Sequence, residues 1–428
     1  MPGQPVSLKH RKQRGQTLVL VALCLVVLIS MAALAIDLTT LYVARGEMQR
    51  SADAAALAGA QAFVSSGTTT DPGNGNLQVL ATILANSYVN GVNARNTVGG
   101  VVPVPTTTLD FTTHPGNPQI TVTMQRTDVP TFFARIFGQR LATVSATAVA
   151  EAYNSSNTTG ASGSMPPVAP TCTKPWLVAN LDPDHPVGAS FAAFVNINGS
   201  LANPGVWSGG GGGIIAEPIT LPDIWQSPLP ATLITPGYLP ANLPNTPGGT
   251  CPSCSGGGGD FAESVACCDT ANAAQYSCGA NPSTLTVDNN SDRRGSLAGA
   301  ACLLTGAGGS GPTPGGNDFL DPSLFWRSGG VDPVQIQSGT APHSGQVVTT
   351  SGQIVTLPII GTNVSGPTVK VVGFMQAFIQ STSDTGPQPG AITMYVLNIS
   401  GCGTNINTGA APVSGGGVSP VPVRLIHP

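Results

Sequence analysis

Residues Thr17 to Ile36 read TLVLVALCLVVLISMAALAI, twenty positions without a charge. At a helical rise of about 1.5 Å per residue this run covers about 30 Å, the thickness of a bilayer's hydrocarbon core. An amphipathic soluble helix of that length keeps a polar stripe, and this one has none. The segment therefore reads as a transmembrane helix. Lys9, Arg11, Lys12 and Arg14 stand just before it, so the positive-inside rule keeps the N-terminus cytoplasmic and places the chain beyond the span on the exported side. A cleaved secretory signal is the competing reading. Its apolar region is shorter, about 7–15 residues, and ends at small residues such as those around Ala32–Ala35. Retention is favoured because the helical pattern runs on without a break.

From Asp37 to Val64 the chain reads DLTTLYVARGEMQRSADAAALAGAQAFV. Leu38, Leu41, Met48, Ala52, Ala55 and Ala56 recur at spacings of three, four and seven, while Arg45, Glu47, Arg50 and Asp53 interrupt part of the surface. This is an amphipathic helix continuing the span, and the two parts form one rod of about 70 Å. Small side chains let other helices approach closely. The pattern fits a juxtamembrane stalk and a packing helix of a filament or assembly complex equally well.

Arg14-Gly15-Gln16 ahead of the span, Ala35-Ile36-Asp37-Leu38 at its end, and Ala52-Asp53-Ala54-Ala55-Ala56-Leu57-Ala58-Gly59-Ala60 beyond it resemble the N-terminal region of TadE/TadG-like proteins of the Flp (tight adherence, Tad) pilus assembly system. The likeness is closest over 14–64. Val129 to Gly138 and Val144 to Ala148 resemble the family's periplasmic part. The resemblance implies a pseudopilin-like inner-membrane protein whose N-terminal helix meets other pilus assembly or pilin proteins. Leu20 stands where a type IV-like prepilin places Glu, five residues after Gly15, which speaks against processing at Gly15. Some longer family members carry a metal site of the form Asp-x-Ser-x-Ser. Asp321-Pro322-Ser323-Leu324-Phe325 lacks the second Ser, so no metal is inferred.

Past the helix, 65–76 is a loop of turn residues. Leu80, Leu84 and Tyr88 predict a second helix over Leu77–Val92. Gln119 to Val129 alternates, with Ile120, Val122 and Met124 on one face. Pro130 opens a short helix ending at Gly138, and Leu141 to Tyr153 alternates again. The expected fold class is α+β: a long pilin-like helix with a small antiparallel sheet, then a β-rich exported domain. The division is a basic N-terminus (1–16), the span (17–36), a pilin-like region (37–153), a linker (154–170) and a cysteine-containing module (171–428). Strand candidates in the module are Trp176–Ala179, Ser190–Ile197, Gln346–Thr349, Gln353–Ile360, Thr368–Ile379 and Ala391–Ile399. The last two are nearly continuously apolar, as in strands buried on both faces, and form a hairpin across SDTGPQPG.

The whole chain holds 54 Gly and 38 Pro, many of them in roughly 200–345, a stretch unable to bury much apolar surface and expected to depend on cross-links. One cysteine, Cys24, lies in the span; eight come after it: Cys172, Cys251, Cys254, Cys267, Cys268, Cys278, Cys302 and Cys402. An even set in an exported region reads as disulfides, with connectivity left open. Cys251-Pro252-Ser253-Cys254 also fits a redox or zinc motif. However, the glycines at 256–259 make a poor helix start, and the adjacent Cys267-Cys268 suits a zinc tetrahedron less well than a second spaced pair.

Residues 172–428 carry 6 Lys/Arg against 13 Asp/Glu, a balance of −7, so no basic stripe exists there for nucleic acid. The Gly-rich run 306–311 matches G-x-G-x-x-G, but Pro312-Thr313-Pro314 comes next in place of a helix, and no dinucleotide or other cofactor is inferred. Asp182-Pro183-Asp184-His185 is the acid–His cluster, explained most simply as a turn. No catalytic set is nominated. A secreted or anchored hydrolase remains the alternative from another class. A cell-surface adhesive module contacting partners through Trp207, Trp225 and Trp326 is a third reading.

Overall fold

The computed structural model describes residues 14–114, 117–158, 166–202, 218–248, 259–278, 285–288, 293–305, 318–320, 336–339, 345–348, 351–383, 390–403, 410–411, 413 and 419–426. Cys251, Cys254, Trp207, Trp326, the 306–311 run and Asp321–Phe325 lie outside them, as do Lys9, Arg11 and Lys12.

Among the described residues the helices are α1 (Arg14–Ser65), α2 (Gly75–Asn93), α3 (Gly259–Ala266) and α4 (Arg293–Thr305). The strands, in chain order, are β1 (Val104–Asp110), β2 (Gln119–Pro130), β3 (Leu141–Ala152), β4 (Trp176–Ala179), β5 (Pro186–Val187), β6 (Ser190–Phe191), β7 (Ile219–Leu221), β8 (Tyr238–Pro240), β9 (Phe319–Leu320), β10 (Ile336–Gln337), β11 (Val347–Val348), β12 (Ile354–Ile360), β13 (Val371–Ser383), β14 (Ala391–Gly401) and β15 (Val423–Ile426). The chain divides into two compact units. One holds Met1–Ala55, Asn90–Thr107 and Val122–Ala148; the other holds Ala56–Val89, Thr108–Thr121 and Val149–Pro428.

α1, whose residues up to Ala55 belong to the first unit, carries the expected long helix without a break, about 78 Å at helical rise. Ala33, Asp37, Ala44, Met48, Ser51, Ala52 and Ala55 are buried along one stripe, at steps of three, four and seven. Leu38, expected on that stripe, is 66% exposed, and Asp37 takes the inward place. One residue is about 100° of helical turn, so the register set by Ala44 and Met48 leaves room for Asp37 and turns Leu38 outward. The alternation in β2 buries Val122 and Met124, and β3 neighbours β2 in the sheet order β1-β2-β3-β15. The short helix expected after Pro130 is a 3-10 turn at Ala134–Phe137, closed by Gly138 in the left-handed region (φ 91°).

In the second unit, the long hairpin is present. β13 pairs antiparallel with β14, with Phe374 opposite Ser400 and Phe378 opposite Tyr395. It lies at the centre of a six-stranded sheet of order β7-β14-β13-β12-β4-β8, in which only the β12–β4 pairing is parallel. Strand alternation sends Trp176, Val178 and Met375 to one core and Leu177, Ala179 and Phe374 to another. Both faces are therefore covered, which is why these strands read as continuous apolar runs.

The expected strand Ser190–Ile197 is reduced to Ser190–Phe191. Asn180 accounts for the reduction: its side-chain amide accepts from Val195 N–H and donates to Val195 C=O, replacing ladder partners. Asn154, Ser155 and Ser156, read as the start of a linker, are buried; Asn154 Nδ2 donates to Thr69 C=O and Ile399 C=O.

Two disulfides, Cys172–Cys268 and Cys278–Cys402, lie in this unit. Cys267 and Cys302 are disulfide-bonded as well. The Gly-rich region also contributes α3 and α4, which no sequence period announced. The two helices meet at Gly299, where an added Cβ would lie 2.5 Å from Val265 Cβ and 2.8 Å from the Ala262 carbonyl. A residue that weakens a helix is required here for two helices to meet.

Candidate functional site

Among the described residues, most of the residues of the Arg-Gly-Gln, Asp37 and Ala-Asp-Ala motifs lie along α1. Its first turn begins at Arg14-Gly15-Gln16. From Thr17 to Ile36 every side chain is exposed except Ala33, including leucines and valines at about half to three-quarters of full exposure. Such an apolar surface is costly in water and natural in lipid or against other apolar helices.

Asp37 follows directly on this apolar stretch. Its carboxylate accepts three backbone hydrogen bonds, from Phe132 N–H at 2.8 Å, Phe133 N–H at 2.9 Å and Ala134 N–H at 2.6 Å. These are the free donors at the start of the 3-10 turn, and a carboxylate there also meets the positive end of the local peptide dipoles. The turn is closed on itself: Thr131 N–H donates to Arg140 C=O at 3.1 Å, Gln139 N–H to Ala134 C=O at 3.2 Å, and Thr131 Oγ1 to Gln139 C=O. Ten residues on, Glu47 accepts from Gly99 N–H at 2.9 Å. Gly99 and Gly100 both take positive φ, which bends the chain back so that the buried Arg126 guanidinium reaches Val98 C=O while pairing with Asp128. Gln49 Nε2 bonds Asp53 Oδ1 at 2.8 Å and Thr147 C=O at 3.4 Å.

The remaining residues of the Ala-Asp-Ala-Ala-Ala run are packing groups. Ala52 and Ala55 are fully buried, Ala54 and Asp53 half-buried. In the second unit an added Cβ on Gly59 would lie 2.6 Å from Ile120 Cδ1 and 3.0 Å from Val89 Cγ2, so β2 and α2 close over the backbone of α1 there. Gly59→Val is expected to lower stability by about 1–3 kcal/mol through overpacking. Gly59→Ala should cost less, because Ile120 Cδ1 is the far end of a flexible chain. Thermal unfolding of the two variants in detergent checks both the sign and the order.

Asp37 stands out in the sequence for its place in a motif; its partners, ninety-five to ninety-seven residues away, carry no signal there. Asp37→Ala leaves three N–H groups without their acceptor, and the turn should loosen. The expected outcome is faster tryptic cleavage after the exposed Arg135 and Arg140 in detergent-solubilised protein, with Asp37→Asn intermediate. Sequencing the new N-termini checks it; unchanged cleavage would show that the carboxylate does not hold the turn.

The acid–His cluster resolves into a local turn. Asp182 accepts from Asp184 N–H at 3.0 Å and pairs with His185 Nδ1, at the foot of the β5–β6 hairpin. Trp225 is half-buried against the core that holds Leu177 and Phe374. Among the described residues no group of three His, Cys, Asp or Glu side chains is gathered as a metal site.

A long helix, bare and apolar at its start and small and buried beyond, with small antiparallel sheets and a β-rich remainder, defines an α+β protein. Residues 15–62 match the family model described as Flp pilus-assembly TadE/G-like, and residues 42–150 match the one described as Tad-like Flp pilus-assembly. The stretch from 15 to 150 is therefore similar to Flp pilus-assembly proteins of the Tad type, and this likeness supports a role in pilus assembly. No curated protein and no solved structure matches the chain.

Proposed function

We propose that the protein is a single-pass, pseudopilin-like structural component of Flp pilus assembly, held in the bacterial inner membrane by Thr17–Ile36 with its N-terminus cytoplasmic. The observation that carries this reading is the change of character along one unbroken helix: outward-facing apolar residues up to Ile36, then a buried stripe of small residues from Ala44. Lipid or neighbouring helices cover the first part, and the chain's own sheet covers the second. Residues 37–153 form the pilin-like region, 154–170 connect, and 171–428 form an exported module that contacts pilus subunits, envelope partners or surfaces, while the N-terminal helix meets other pilus assembly or pilin proteins. The Asp–Ala–Ala–Ala–Gly motif and Asp37 act by packing and anchoring. The eight cysteines after the span serve as cross-links, and the work is structural in place of enzymatic.

Fractionation with N-terminal sequencing of the protein made in its own cells tests the reading. An intact N-terminus in the inner membrane, with 171–428 open to periplasmic protease, is the expected result. A new N-terminus at Gln16 in sheared pili would make the chain a processed minor pilin. A cut near Ala35 with soluble protein outside would sink the anchor and favour a secreted hydrolase or adhesin.

A further inference from the structure

The turn held by Asp37 carries an unusual outer surface. Phe132, Ile136 and Leu141 are 60%, 77% and 55% exposed, a cluster of large apolar groups within ten residues. Between them stand Arg135 and Arg140, both exposed, and the stretch 131–141 contains no acidic residue. An apolar cluster interleaved with arginines is the composition of a segment that lies in a lipid headgroup layer.

Its position is fixed by two further observations within the first unit. Asp37 is one residue beyond the span, and its carboxylate holds the turn's backbone directly. The β2–β3 arm also runs toward the membrane. Thr147 lies beside Gln49 and Phe132 beside Asp37, so the arm descends about 18 Å along α1 at helical rise to reach the end of the span. Ala33 is buried as well, one helical turn further into the span, although its neighbours in the span are bare.

We propose that the 131–141 turn is a second membrane contact, with Phe132, Ile136 and Leu141 inserted among the lipids on the exported side and Arg135 and Arg140 on lipid phosphates. The proposal rests on Thr17–Ile36 being the span. A single helix leaves a protein free to swivel and tilt about it. A second contact fixes the rotation of α1, and with it the direction in which the exposed helix face meets its neighbours. Aromatic and arginine side chains are the usual anchors at this depth.

The test uses the full chain in vesicles of phosphatidylethanolamine and phosphatidylglycerol, with benzoylphenylalanine placed singly at Ile136, at Leu28 in the span, and at the exposed Val187. After irradiation, mass spectrometry reads phospholipid adducts. The expected result is adducts at Leu28 and Ile136 and none at Val187. Adding Asp37→Ala should reduce the Ile136 adduct several-fold while the Leu28 adduct persists. Adducts at Leu28 with none at Ile136, or an Ile136 cross-link to a second copy of the chain, would overturn the second contact and leave the span intact. Absence of adducts at Leu28 would overturn the span and this contact together.

Discussion

Replacing both Cys278 and Cys402 by alanine is expected to destabilise the second unit by about 4–5 kcal/mol, near the whole stability of an ordinary domain. The bond joins positions 124 apart in sequence, so its removal returns a long loop's worth of freedom to the unfolded chain. Both cysteines are buried in the core that holds Leu177, Phe374 and Tyr276, and truncation there adds a packing loss. The sheet alone is a poor substitute. Cys402 comes directly after β14 and its N–H donates to Val372 C=O at 2.9 Å, while Cys278 lies in a segment tied elsewhere by Cys278 N–H to Val168 C=O at 3.1 Å. The bond is therefore what ties the irregular segment before it to the hairpin. Urea unfolding of the full chain, with and without the pair and under non-reducing conditions, reads the difference. A midpoint shift equivalent to less than about 1 kcal/mol would mean that the unfolded chain is already compact around this loop.

The long-period features were legible in the sequence because each repeats a local rule many times. The apolar start of α1 has twenty positions to declare itself, the β13–β14 hairpin has two long apolar runs, and the Ala-rich face of α1 repeats along several turns. The features that escaped depend on single distant pairings. Arg424 pairs with Glu151 and lies over the Tyr153 ring, bringing β15 against the end of β3, yet Val423–Ile426 has only four residues and no alternation strong enough to announce a strand. Helix α4 reads as Gly-rich loop because Gly295 and Gly299 occupy the buried positions where a larger residue would advertise an amphipathic face. Asp37 illustrates the same limit at the candidate site: its type and place were visible, and its three backbone partners were not.

The second unit should become more stable as pH rises from about 7 toward 10, opposite to the fall expected of a protein that only loses ion pairs with alkali. Lys174 is the cause. It is buried, its ammonium donates to the Cys267 carbonyl, and burial pulls its pKa down to about 7 against the opposing pull of the Asp269 charge. In the unfolded chain it stays protonated up to its ordinary value of 10.5. Between the two values the unfolded state holds one more proton than the folded state, so unfolding free energy increases by about 1.4 kcal/mol per pH unit. The full window corresponds to roughly 5 kcal/mol as an upper bound. Below about 7 both states are protonated and this dependence vanishes.

Asp269 does not reverse the trend. Burial opposes its ionisation, but Asn272, Ser264 and the Gly248 N–H bond its carboxylate and hold it below the usual carboxylate range, ionised throughout. Tyr276 sets the upper limit. Burial raises its phenol above 10, so past that point the unfolded state releases the proton first and stability falls again. Chemical unfolding of the full chain in detergent at pH 6, 7, 8, 9 and 10, repeated with Lys174→Met, separates the contributions. The wild-type midpoint should climb above pH 7 and the methionine variant's should stay level. Equal slopes in the two proteins would assign the rise to another group, and no rise in the wild type would mean that Lys174 keeps its proton when buried.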